Sequence, residues 1–210
     1  PTNAALVWET REGGTVSTLD YVGYSRNGYV VFKVGGATEG NAVVAAKNGV
    51  TTLWSWHIWT TAAFDGNGIK VQTYETRPRD GLAAYADIAK REFEMMDRNL
   101  GSAGGKATKV AEEAVKTYGV YFQFGRKDPF PAAGVMTRTN DADIVPVYDG
   151  SGNRILKNSN QITNSVLTKA FDQNAVKVQL AYAVENPLMF ILRNDEDKAV
   201  TYGGDGTNPS

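Results

Sequence analysis

The chain has no cysteine and a single histidine, His57, among its 210 residues. The first absence removes disulfides, thiolate zinc sites and cysteine nucleophiles. The second removes any two-histidine metal motif and leaves one imidazole base at most. Charge of one sign is also missing: 22 Lys and Arg stand against 23 Asp and Glu, for a net charge of -1. A nucleic-acid groove or a polybasic membrane surface would need an excess or a stripe of Lys and Arg. No apolar run approaches the roughly 20 residues needed to span a bilayer. The patterns G-x-S-x-G and G-x-x-x-x-G-K-[ST] are absent, which removes the nucleophile elbow and the phosphate loop.

What remains is a length that suits one large domain, able to bury roughly 70% of its unfolded surface. No repeat, low-complexity tract or linker divides it. The reading is therefore a single domain over 1–210, with a β-rich part over about 1–75 and a helix-containing part over about 76–210. The opening, from Pro1 to Thr10, has neither the basic n-region nor the apolar h-region of a signal peptide. A start at Pro1 is read as that of a mature or excised fragment, and the end from Gly203 to Ser210 is loop chemistry throughout.

Residues 1–60 carry the marks of hairpins. Asn27-Gly28 and Asn48-Gly49 are tight-turn pairs, and Gly13-Gly14 is a further turn signal. Between them lie Ala5–Trp8, Val16–Tyr24, Tyr29–Val34, Asn41–Ala46 and Thr51–Thr61, rich in β-branched and aromatic residues. The expectation is a mostly antiparallel sheet, not a βαβ alternation. Further on, helices are expected over 82–90, 108–118 and 159–168, and a strand over Glu92–Asp97. Asp149–Asn153 reads as the turn of a hairpin between Ile144–Tyr148 and Arg154–Leu156. Val176–Val184 carries spaced apolar residues and ends before Asn186-Pro187.

Three segments concentrate unusual side chains. Leu53-Trp54-Ser55-Trp56-His57-Ile58-Trp59 holds three of the four Trp and the only His. On a strand, Trp54, Trp56 and Ile58 share one face, and Leu53, Ser55, His57 and Trp59 the other. Both faces are largely apolar, as in a central strand covered on both sides. The segment is either core, with His57 hydrogen-bonded inside, or a ligand platform, because Trp stacks on sugar rings. Glu92–Gly101 ends a strand in a polar cluster. Asp97 and Arg98 there make either a charge pair within a structural turn or part of a carboxylate–amide ligand set. Tyr118–Pro131 is dense in aromatics, with Arg126 able to stack on Tyr121 or Phe130.

The oxygen-rich loops at Asp65–Gly68, Asp141/Asp143, Asp149–Asn153 and Asp195–Asp197 lack the spacing and terminal Glu of a helix–loop–helix calcium site. A single loop-bound calcium stays open; no other cofactor is expected. Paired carboxylates for glycoside hydrolysis need not be close in sequence, and nothing marks such a pair.

Taken in order, Leu53–Trp59, Met96–Gly101 and Tyr118–Pro131, with Gly40–Ala45 before them and Ala183–Pro187 after, resemble a family of exported Bacteroidetes surface proteins. These are fimbrillin-like and fimbrial tip proteins carrying the Fibrobacter succinogenes major paralogous domain. The resemblance runs from about Trp8 to Phe190. It implies an α+β fold related to C-type lectins and to formylglycine-generating enzyme, a twisted antiparallel sheet with flanking helices. It further implies export, display at the cell surface in association with the outer membrane, and adhesion. Partners would be other fimbrial or surface subunits and a host or bacterial surface ligand, glycan included, with no nucleic acid. Members continue into a C-P-x-G-W-R-x-P element; this chain stops at Ser210 in the loop before it, so the domain is expected to be truncated. The catalytic cysteines of the enzyme relatives have no counterpart here.

The leading expectation is a noncatalytic adhesin-type protein of the cell surface or fimbrial tip, with Trp56, Trp59 and Arg126 as candidate ligand-binding residues. The rivals are a carbohydrate-binding module of a polysaccharide-processing surface protein and a carboxylate-dependent hydrolase.

Overall fold

Asn48-Gly49 closes the longest hairpin among the described residues. Gly49 takes a left-handed φ of +58°, which a side chain would resist, and a two-residue turn of this kind matches the twist of the strands on either side. The strands it joins are β5 (Gly40–Asn48) and β6 (Thr51–Thr60), antiparallel from Gly40↔Thr60 to Asn48↔Thr51. The computed structural model describes residues 1–37, 39–61, 71–75, 92–102, 117, 119–123, 126–130, 147–156, 168–171 and 176–193.

β1 (Asn3–Glu12) lies on the other side of β5 and also pairs with β9 (Val147–Asp149), which pairs in turn with β10 (Arg154–Leu156). A two-residue strand, β2 (Val16–Ser17), folds back on the end of β1. The result is a six-stranded sheet in the order β10-β9-β1-β5-β6, with β2 beside β1. Three two-stranded ladders accompany it. β3 (Leu19–Tyr24) and β4 (Val30–Val34) form one hairpin, and β7 (Val71–Glu75) pairs antiparallel with β8 (Glu92–Met96). β11 (Thr168–Phe171) and β12 (Phe190–Arg193) run parallel, joined through a chain that includes α1 (Val176–Glu185).

Two bulges decide which side chains go where. In β1 the register shifts between Leu6 and Trp8, so these two residues, which simple alternation would place together, turn to opposite faces. Leu6 joins Leu19, Ala42 and Val44 under the β3–β4 hairpin, where Val22, Val30 and Ile58 also pack. Trp8 is fully buried with Val43, Phe130 and Val147 on the other face, against Val120 and Leu188. In β6 the extra residue is Leu53, because Thr52 pairs with Lys47 while Trp54 pairs with Ala46. Beyond it, alternation holds: Ser55, His57 and Trp59 face the Trp8 core, and Trp54, Trp56 and Ile58 face the side of the hairpin.

The expected α+β fold of C-type-lectin type, with helices flanking the sheet, is not the one that forms. Among the described residues the structure is mostly β, 53% strand and 8% helical, with one short helix. Among the described residues the sheet faces are covered by a hairpin and by the segments 119–123 and 126–130, and the one helix, α1, lies beside β6. The β-branched runs and glycine turns that marked residues 1–60 as hairpins dominate the architecture of the described residues. Of the helices expected over 82–90, 108–118 and 159–168, only Thr117 and Thr168 fall within the described residues, and Thr168 begins β11. The rest lie outside them, as do the loops at Asp65–Gly68, Asp141/Asp143 and Asp195–Asp197. β6 is corrected as well. Among the described residues it ends the sheet instead of running through its middle. A run apolar on both faces is what a central strand needs, but an end strand that exposes aromatic rings has the same composition.

Candidate functional site

β6 carries two different surfaces, and each has its own chemistry. On the core side, Ser55 is 3% exposed and its Oγ donates to both carboxylate oxygens of Asp128, at 2.9 Å each. Asp128 is itself buried. Lys127, the preceding residue, donates from Nζ to Asp128 Oδ1 and Oδ2 at 2.9 and 2.8 Å, to the Ser55 carbonyl at 3.0 Å, and to Ser55 Oγ. The ammonium thus neutralises a carboxylate that burial would otherwise penalise and also caps a backbone carbonyl of the end strand. Its Nζ stands 4.6 Å from the centroid of the Trp54 ring.

Two residues along the same face, His57 Nε2 lies 2.9 Å from Asn41 Oδ1. The Asn41 amide nitrogen donates to the Gly101 carbonyl at 2.8 Å, so its oxygen is the acceptor and His57 Nε2 carries the proton. Burial pushes the imidazole from 6.5 down to about 4, against an opposing pull from the Asp128 charge, and it is neutral at pH 7. Trp59 follows, with its indole N–H donating to the carbonyl of fully buried Ser102 at 3.1 Å.

These bonds tie β5 and β6 to the turn that follows β8. Asp97 and Arg98 form a bidentate pair there at 2.7 and 2.8 Å, and the Asn99 amide donates to the Thr117 carbonyl. Gly101 has φ +79°, and a Cβ on it would stand 2.7 Å from both Asn41 Oδ1 and Val120 Cγ1. Only glycine lets the turn come this close to β5. Val120 N donates to Leu100 O, and Tyr121 and Phe130 exchange two backbone hydrogen bonds. Arg126 then stacks 4.5 Å from the Phe130 centroid and donates to the carbonyls of Asn186, Pro187 and Met189. The segments that stood out in the sequence therefore converge on the core side of β6.

Serine, histidine and aspartate meet here without the wiring of a nucleophilic triad. The acid accepts from the serine, and the imidazole N–H points to an amide oxygen. Ser55 Oγ, the Asp128 carboxylate and His57 Nε2 are each directed at another part of the fold.

On the opposite face of β6, Ile58 packs under the β3–β4 hairpin while the part that carries Trp54 and Trp56 is open. Trp54 and Trp56 remain 48% and 43% exposed, on one face and about 6.7 Å apart along the strand. Their cross-strand partners are the small residues Ala46 and Val44, both buried. Leu53, at the bulge, is exposed beside them.

Of the residues singled out for ligand binding, Trp56 is on this open face. Trp59 is half-buried and bonded to the 97–102 turn, and Arg126 is engaged with backbone carbonyls, so neither stands beside Trp56 on a common surface. Trp54 shares the face of Trp56 and was not singled out, although its i, i+2 spacing from Trp56 was the available signal. The Asp149 loop uses its carboxylate within the hairpin turn. Oδ1 accepts from Ser151 N and Asn153 N, and Oδ2 from Asn153 Nδ2. Slight burial would raise its pKa, but these hydrogen bonds outweigh it and lower it. Among the described residues no group of three or more His, Cys, Asp or Glu is placed to hold a metal ion. No helix there is long and apolar enough to cross a membrane, which leaves strands untested.

No protein-family model matches the chain, and no curated protein or solved structure is significantly similar to it.

Proposed function

We propose that this chain is a noncatalytic recognition domain of adhesin type that binds glycan on the Trp54–Trp56 face of β6. One observation carries the reading. Two indole rings stand half-exposed on the same face of one strand, which costs free energy that a monomeric fold would normally recover by burial. Indole faces suit the CH-rich faces of pyranose rings, through apolar contact and the ring quadrupole. Such a pair offers neighbouring stacking positions on a rigid scaffold, pinned underneath by the Ser55–Lys127–Asp128 set. The inward wiring of Ser55 and His57 favours binding over turnover.

Surface or fimbrial-tip display, with other surface subunits as partners, belongs to the same proposal and rests on the resemblance in the sequence. Binding to an immobilised glycan panel, repeated with Trp56→Ala, tests the reading. A glycan bound by the wild type and lost by the variant supports it. A panel with no binder, or binding indifferent to Trp56, removes it.

A further inference from the structure

We infer that Lys127 is a positioning residue for the Trp54 indole, which leaves Trp54 one face for a ligand and makes Trp56 the dominant contact. The inference rests on the glycan-binding reading for its second half only; the first half concerns the free protein.

Lys127 Nζ is held at four points: both Asp128 oxygens, the Ser55 carbonyl and Ser55 Oγ. An ammonium has three protons, so its donors are fully used. Those anchors are themselves fixed, since Ser55 and Asp128 are almost completely buried. The ammonium therefore sits at a determined point, 4.6 Å from the Trp54 centroid. A cation at that distance attracts the ring through its quadrupole, and a half-exposed side chain on an end strand otherwise has several rotamers open to it. Lys127 selects among them.

The same contact has two effects on recognition. The ammonium covers one face of Trp54, so a sugar can stack only on the other. It also draws on the negative potential of the ring, the property that favours a sugar CH face. Among the described residues no cation stands over the Trp56 ring, so that neither constraint acts on it. Because the charge of Lys127 is used inside the fold, it gives no reason to select an acidic sugar, and binding through this face is expected to be insensitive to salt.

The test is a Lys127→Met/Asp128→Asn double variant. It removes both charges together, so no buried carboxylate is left unpaired and the side-chain volumes are kept. Circular dichroism establishes that it folds. The Trp54 signal is then read as the difference in fluorescence emission and acrylamide quenching between each background and its Trp54→Phe derivative. Affinity is measured for soluble neutral β-glucan and galactomannan, with polygalacturonate as the acidic comparison.

The expected result is a shifted, more readily quenched Trp54 emission in the double variant. Where a polysaccharide binds, loss of the held rotamer is expected to outweigh the freed face and lower affinity about fivefold, the scale of one cation–π contact, and a rise overturns the positioning role in recognition. An unchanged Trp54 signal in a folded double variant overturns the positioning role. A displaced indole with unchanged affinity overturns its part in recognition. A wild type that binds none of the three polysaccharides counts against the glycan reading, while the fluorescence still decides whether Lys127 holds Trp54.

Discussion

Ser55 Oγ lies 2.9 Å from both carboxylate oxygens of Asp128, a residue 73 positions further along the chain. The hydroxyl and the Lys127 ammonium together satisfy a buried carboxylate, and this small set fixes the 126–130 segment to β6. Asp128→Ala removes the anion and leaves Lys127, only 24% exposed at its side chain, with a stranded charge. Breaking one partner of a buried pair costs about 3–5 kcal/mol. Urea denaturation should show a loss of that order, while Asp128→Asn, which keeps a hydrogen-bond acceptor, should lose clearly less.

His57 predicts a pH dependence with a definite sign. Its folded pKa of about 4 lies below the unfolded 6.5, so the unfolded chain binds the proton more tightly. Stability is free of this penalty above pH 6.5, falls as pH drops through the window from 6.5 to 4, and levels off below. The loss is on the order of 3 kcal/mol at most. His57→Gln keeps a donor for Asn41 and should flatten that part of the profile, when both proteins are unfolded by urea from pH 4 to 7.

Gly101→Ala should destabilise in two ways at once. The left-handed backbone at φ +79° resists a side chain, and the new Cβ would meet Asn41 Oδ1 and Val120 Cγ1 at 2.7 Å. A cost of about 2–4 kcal/mol is expected. Because Asn41 and Trp59 both bond to this turn, the Trp emission should change together with the thermal midpoint.

The Asp149 turn separates a structural carboxylate from a calcium ligand. Asp149→Ala removes three hydrogen bonds at an exposed hairpin and should cost about 1 kcal/mol. Millimolar calcium should leave the wild-type thermal midpoint where it was. A rise on adding calcium, lost in the variant, would assign the loop to metal.

The turns were the most legible part of the fold. Asn48-Gly49 and the Asp149–Asn153 loop needed no tertiary information to be recognised, and both close hairpins. The alternation of β6 was also readable from Trp54 to Trp59, since period two fixes the faces once a strand is assumed. The extra residue at Leu53 was not readable, because a bulge depends on the partner strand. For the same reason the sequence could not tell that β6 ends the sheet among the described residues. Whether Trp54 and Trp56 are covered depends on where the β3–β4 hairpin lands, and no local pattern encodes that. The candidate site divides along this line: Trp56 was chosen for its chemistry, whereas Trp59 and Arg126 have the same chemistry but bond to carbonyls distant in sequence. The helices expected over 82–90, 108–118 and 159–168 fall almost wholly outside the described residues.

The central claim is that an open indole pair on β6 binds glycan, and Trp56→Ala addresses it most directly. Being 43% exposed, Trp56 can be truncated with a stability loss of about 2 kcal/mol, less than a buried Trp would cost. Isothermal titration of a soluble neutral polysaccharide into wild type and variant is the measurement. The account predicts saturable binding to the wild type and at least about a tenfold loss in the folded variant, on the scale of one aromatic stacking contact. Equal affinity for the two proteins, or no binding to either, would contradict it.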